Sequence, residues 1–124
     1  MAAPNIVNVS TITGKTDQVA LSTTSATVLL SNAASSGKVV KVNTIIVANV
    51  DGTNACDVTV DLHSAAAGGG TAFSIVSTAS VPADASLVAL DKSTAIYLEE
   101  DMSITVTAGT ANDLEVLVSY EEIS

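Results

Sequence analysis

Two short clusters in this chain carry side chains that could do chemistry. Asp61, His63 and Ser64 supply the acid, base and hydroxyl of a hydrolytic triad. Glu99, Glu100 and Asp101 set three carboxylates side by side, a combination that suits a hard cation. The spacing argues against both. A triad converges from separate elements, whereas residues 61–64 sit together on one short strand with no glycine-flanked nucleophile elbow. Asp61 and His63 are therefore expected to face solvent from that strand, and the acidic triplet is expected to be a plain exposed turn. Asp51-Gly52-Thr53-Asn54 has the opening of a calcium loop but lacks its spaced acids and closing Glu. Gly14-Lys15-Thr16 has the tail of a phosphate loop, yet Val9 stands where the first glycine belongs and no helix follows. Cys56, the single cysteine, falls on the apolar side of a strand and reads as a small buried hydrophobe.

The rest of the composition offers little more to react with. There is no Arg and no Trp, and the aromatics are Phe73, Tyr97 and Tyr120. Exposed aromatic platforms of the kind that hold sugars have few residues to draw on. The net charge is −9, and residues 84–124 hold nine acids against Lys92 alone. Phosphate backbones and anionic lipid surfaces both call for clustered Lys or Arg, so neither nucleic acid nor membrane is an expected partner. No apolar stretch reaches the length of a membrane span, and Met1-Ala2-Ala3-Pro4-Asn5 opens without the basic and apolar regions of a secretory signal. The composition predicts a protein with no catalytic activity and no cofactor.

What the chain is rich in is strand-forming residues. Val, Ile and Thr make up 40 of 124, and their branched Cβ atoms pack well on a pleated surface. Turn residues recur every 8–12 positions, and no helix of any length is expected. Strands are predicted over residues 6–13, 18–22, 26–30, 38–50, 56–63, 71–77, 86–90, 94–98, 102–108 and 114–120, with 18–22 and 26–30 allowed as one bent strand. Gly14-Lys15-Thr16-Asp17 is expected to break the first strand, residues 31–37 to form a loop, and residues 65–70 to be a loose exposed tip. Asp51-Gly52 reads as a tight hairpin turn, and a weak echo of residues 51–60 in residues 109–118 reads as a second, similar hairpin. In residues 38–50 both faces carry apolar residues, which marks a central strand. The expected fold is a single-domain antiparallel β-sandwich over residues 1–124, jelly-roll-like, of about eight or nine short strands. Alternation with period two places Val40, Val42, Ile46, Val58, Val60, Leu62, Ile104, Val106, Val116 and Val118 in its core.

Several stretches carry a resemblance. They are Val81-Pro82-Ala83-Asp84-Ala85-Ser86-Leu87-Val88-Ala89-Leu90, Ile96-Tyr97-Leu98-Glu99-Glu100-Asp101-Met102, Val118-Ser119-Tyr120-Glu121-Glu122-Ile123 and, nearer the front, Asn5-Ile6-Val7-Asn8-Val9. Together they resemble small virion structural proteins of tailed phages that infect marine cyanobacteria. In such proteins a Gly-Asp turn often follows the Leu-Glu-Glu run, where this chain has Asp101-Met102. The resemblance implies a non-enzymatic virion protein on the particle exterior, with capsid decoration (cement) on the phage head first. A tail, neck or fibre subunit comes second, and a carbohydrate- or ion-binding host-attachment module is the rival of another class. The implied partners are the major capsid protein or other virion proteins, and further copies of the chain, with a trimer favoured. The end residues Tyr120, Glu121, Glu122 and Ile123 are the expected contacts, on the premise that the chain end leaves its own sheet and lies along a neighbour.

Overall fold

The computed structural model describes residues 4–124, which form nine strands in two antiparallel sheets packed face to face. The strands are β1 (Ile12–Ala20), β2 (Thr27–Asn32), β3 (Val39–Asn49), β4 (Cys56–His63), β5 (Ala72–Val81), β6 (Ser86–Leu90), β7 (Ile96–Leu98), β8 (Met102–Ala108) and β9 (Leu114–Ile123). One sheet runs β1-β9-β3-β6, with the short β7 also pairing β3, and the other runs β2-β8-β4-β5. With β7 set aside, the eight remaining strands alternate between the sheets except at the β4–β5 hairpin, as in a jelly roll, the first lying beside the last. The expected all-β sandwich is what the chain forms.

The core lies between the sheets, where β3, β4, β8 and β9 meet. Val42, Ile45, Val47, Val58, Val60, Ile104, Val106, Val116 and Val118 are fully enclosed. Burying each such side chain contributes roughly 1.5–3 kcal/mol. β4, β8 and β9 follow the predicted alternation. β3 does not. Its register against β9 shifts between Val42 and Thr44, so Asn43 is an extra residue bulged out of the ladder. Beyond the bulge the parity inverts: Ile45, Val47 and Asn49 turn inward, while Ile46, placed in the core from sequence, turns outward and is half-buried. Leu62, likewise expected in the core, is only partly buried against it.

Other boundaries moved for identifiable reasons. Residues 6–11 lie outside any strand, and Gly14-Lys15-Thr16-Asp17, expected to interrupt, lies in the middle of β1. Tertiary pairing with β9 over nine consecutive positions outweighs the weak strand preference of that tetrapeptide. Ser31 and Asn32 complete β2 instead of opening a loop. The Asp51-Gly52 hairpin is also corrected, because β3 and β4 belong to different sheets. Residues 50–55 form an arch between layers, and residues 109–113 form another between β8 and β9. The sequence echo is therefore a pair of arches and not a pair of hairpins.

Two buried asparagines pin the arches and ends. The Asn49 amide donates to the carbonyls of Asn54 and Val81, both at 2.9 Å, and its oxygen accepts from the Asp51 amide. Asn32, like Asn49 the last residue of its strand, donates to the carbonyls of Lys38 and Leu98 and accepts from the Ser36 hydroxyl. Each satisfies main-chain groups that leave the ladders at a sheet crossing.

Candidate functional site

The residues singled out for chemistry are drawn apart by the fold. Asp61 accepts from the Ser74 hydroxyl on β5 at 2.8 Å, and the Ser64 hydroxyl accepts from the Thr71 amide. His63 does lie on the side of its sheet away from the core, but it is buried and not solvent-facing. A ring protonated on Nδ1 donates to the Gly69 carbonyl at 3.2 Å, leaving Nε2 to accept from the Thr105 hydroxyl at 2.8 Å. What covers it is the stretch expected to be loose. The amides of Ala66, Ala67 and Gly68 donate to Asp101, Ser31 and Ser103 in turn, and the Ser103 hydroxyl donates to the Ala65 carbonyl. Ala67 and Gly68 take left-handed backbone angles, φ 57° and 74°, to aim those amides at the sheet. A Cβ on Gly68 would stand 3.2 Å from the Thr105 methyl. Segment 64–71 is thus a strap across the outer face of the second sheet.

The acidic triplet diverges. Asp101 is committed to the strap, Glu100 accepts from the Gly37 amide at 3.3 Å, and Glu99 is exposed. Asp51 accepts from the Thr53 amide and the Asn54 side chain, so the calcium-like fragment serves as a local turn. Among the described residues no three His, Cys, Asp or Glu side chains gather to hold a metal ion. Cys56 is buried, as its place on β4 predicted.

The expected contact residues work inside the subunit. β9 does not leave its sheet. It lies between β1 and β3 along its length, with Ile12 and Val39 both opposite Ile123. Alternation alone ended the strand at Tyr120, but two flanking ladders carry it three residues further. Tyr120 and Ile123 are buried. The Tyr120 hydroxyl donates to Asp17 at 2.8 Å, and Glu121 accepts from the side chain of the bulged Asn43. Glu122 sits between Lys38 at 3.2 Å and Lys15 at 3.4 Å. Burial, and then the Asp17 carboxylate, push the Tyr120 phenol up to about 12. Burial opposes ionisation of Glu122, yet the bonds and charges of Lys38 and Lys15 hold its carboxyl below the usual range.

These two shifts set opposite limits on stability. The contribution of neutral Tyr120 is fully present below its ordinary value of 10.0 and is lost as pH rises toward about 12. That of ionised Glu122 is present above 4.5 and is lost as pH falls through its lower folded value. Chemical denaturation across pH is expected to show both declines, and Tyr120→Phe should flatten the part of the alkaline decline owed to the phenol. An unchanged alkaline limb in that variant would contradict the assignment.

What the fold leaves free is surface on the β1-β9-β3-β6 sheet. Gln18, Leu117, Ile46 and Val88 line up across its four strands on the outer face. Leu117 and Val88 are about half exposed. Gln18, Ile46 and Leu117, with Ala20, Ala48 and Glu115, border an open groove of about 250 Å³. Beside the groove runs β1, exposed along almost its whole length on both faces. The groove is lined mainly by apolar side chains, with Gln18 and Glu115 as its polar members.

Such a molecule is a jelly-roll sandwich whose free features are an apolar stripe and a strand edge. No family model and no curated protein matches the sequence. Among solved structures the fold is similar to a chain of the Bacillus endospore appendages, described as forming a novel family of disulfide-linked pili. The two share 15% identity over 92% of this chain and 88% of that one, with a TM-score of 0.53. At that identity the likeness is one of fold.

Proposed function

We propose that this protein is a non-enzymatic structural subunit that acts by packing against copies of itself and against other subunits of a particle. The observation that carries this reading is how its side chains are allotted. The polar groups singled out for chemistry, Glu99 apart, are bonded into their own fold, while Leu117, Val88, Ile46 and the β1 edge stand open. The sequence resemblance supports a phage virion as the particle, with the protein on the outside of the head as a decoration subunit bound to the major capsid protein. The likeness of fold to a pilus chain agrees with a role in assembly and favours, as a second reading, a tail or other filament component. Disulfide linkage is not part of the proposal, because Cys56 lies in the core.

The test is to add purified protein to phage heads that lack it and count the copies that sediment with them. Hundreds per particle, with heads that then resist heat or low salt better, are the expected result. A dozen or fewer would move the protein to the tail or neck. No binding to any virion part would overturn the virion reading.

A further inference from the structure

Among the described residues four strand edges are open in the two sheets: β1, the short β6 and β7 together, β2 and β5. Three are blunted. β6 and β7 have five and three residues, β2 has a register shift at Val28/Leu30, and the pairing of β5 with β4 slips twice. β1 alone is long and unbroken, nine residues in continuous register with β9.

The direction of its main-chain groups follows from its ends. Thr11 and Ser124 exchange both amide bonds, at 2.9 and 3.0 Å, and the Leu21 amide donates to the Leu114 carbonyl at 2.9 Å. With no register shift between, the odd-numbered residues of β1 turn their N–H and C=O toward β9. Ile12, Gly14, Thr16, Gln18 and Ala20 therefore turn theirs outward, and none is proline.

We propose that this edge pairs antiparallel with β1 of a second copy, about a two-fold axis through Thr16. The inference rests on the structural reading above and names one partner surface for it. Three features of the strand fit that register. Thr16 is the midpoint of β1, so full overlap matches every outward residue with another outward residue and forms about ten main-chain hydrogen bonds. The same register sets Lys15 opposite the partner's Asp17, and Asp17 opposite the partner's Lys15. These fall at the non-hydrogen-bonded positions, where facing side chains come closest. Thr16 faces the partner's Thr16, a favourable cross-strand pair. The partner's Ile12, more than half exposed in the single chain, then lies against Ala20 at the border of the apolar groove. The product is one continuous sheet across two subunits and an isologous dimer, in place of the trimer expected from sequence. A one-residue slip would face inward-bonded groups to outward ones, and a two-residue slip would lose the charge match.

The experiment is multi-angle light scattering on the full chain. It is run at about 0.15 M salt, because a charge of −9 on each copy opposes association when screening is weak. The expected mass is twice 12.4 kDa. Thr16→Pro removes an outward amide that β9 does not use, so it should return the mass to that of one chain without changing the circular dichroism spectrum. Lys15→Asp and Asp17→Lys each set like charges across the axis, and each should be monomeric alone. Mixed, they restore both opposite pairs and should form a one-to-one heterodimer, a rescue that damage to the subunit would not produce. A wild-type monomer overturns the proposal, as does a dimer that survives Thr16→Pro or a charge-variant mixture that stays monomeric. A wild-type monomer that still coats particles would remove the strand pair and leave the structural role standing. A strand-paired dimer that ignores particles would do the reverse.

Discussion

Ile45→Ala is expected to lower the unfolding free energy by about 3–4 kcal/mol, while Ile46→Ala, one residue along the same strand, should cost less than about 1 kcal/mol. The two side chains are identical and face opposite sides of the sheet, and the bulge at Asn43 decides which of them is buried. Ile45 has no exposed surface and faces β8 and β4 across the core, and truncating it leaves a cavity that well-packed neighbours cannot fill. Ile46 lies on the outer stripe beside Leu117, where the smaller side chain opens space that water already reaches. Urea unfolding of both variants measures the pair directly. Equal losses, or a larger loss at Ile46, would mean that β3 keeps one register throughout and that the bulge is misplaced.

Asn49→Ala carries the other large effect, about 3 kcal/mol, near 10 °C in melting temperature for a domain of this size. No apolar contact is at stake. The side chain is 2% exposed and serves three main-chain groups, the carbonyls of Asn54 and Val81 and the Asp51 amide. Removing it strands those groups where solvent reaches poorly, and each buried unmet group costs about 1–3 kcal/mol. Asn49→Asp should be at least as damaging, because a carboxylate cannot donate to either carbonyl and sets its charge against both. Thermal unfolding of the two variants tests this. A carboxylate tolerated as well as the amide would show that the two donated bonds contribute little.

The alternation in β4, β8 and β9 was legible because the apolar residues of β4 and β8 occupy one parity only and those of β9 do so apart from Leu117 and Ile123, and it led directly to most of the core. β3 was not, since Val39, Val40, Val42, Ile45, Ile46 and Val47 are apolar on both parities and no local signal says where the ladder skips. Asp51-Gly52 misled because the same residues that close a hairpin also turn the chain between layers. Which of these occurs depends on the partner each strand finds. The strap was hidden for a different reason. Between Ser64 and Thr71 its residues are Ala and Gly, and the groups that fix it, Ser31, Asp101 and Ser103, come from elsewhere in the chain. His63 illustrates the division well, its sheet face readable from parity and its cover not. The free β1 edge was missed because Gly14 and Asp17 argue against a strand until β9 is seen beside them.

The jelly-roll order has a consequence for how the molecule comes into being. On the ribosome β9 is made after the eight other strands, yet in the finished sheet it is the link between β1 and β3. Until it emerges, that sheet lacks its middle, and the nascent chain must wait with two unfilled edges and the core uncovered where β9 will lie. Closure then joins Asp17 to Tyr120, 103 residues apart, a long-range event of the kind that makes folding slow. During that interval a β9 from a neighbouring nascent chain fits the gap equally well. Crowded synthesis on one messenger should therefore favour exchange of this strand between chains, and chaperones that shield β strands should raise the yield.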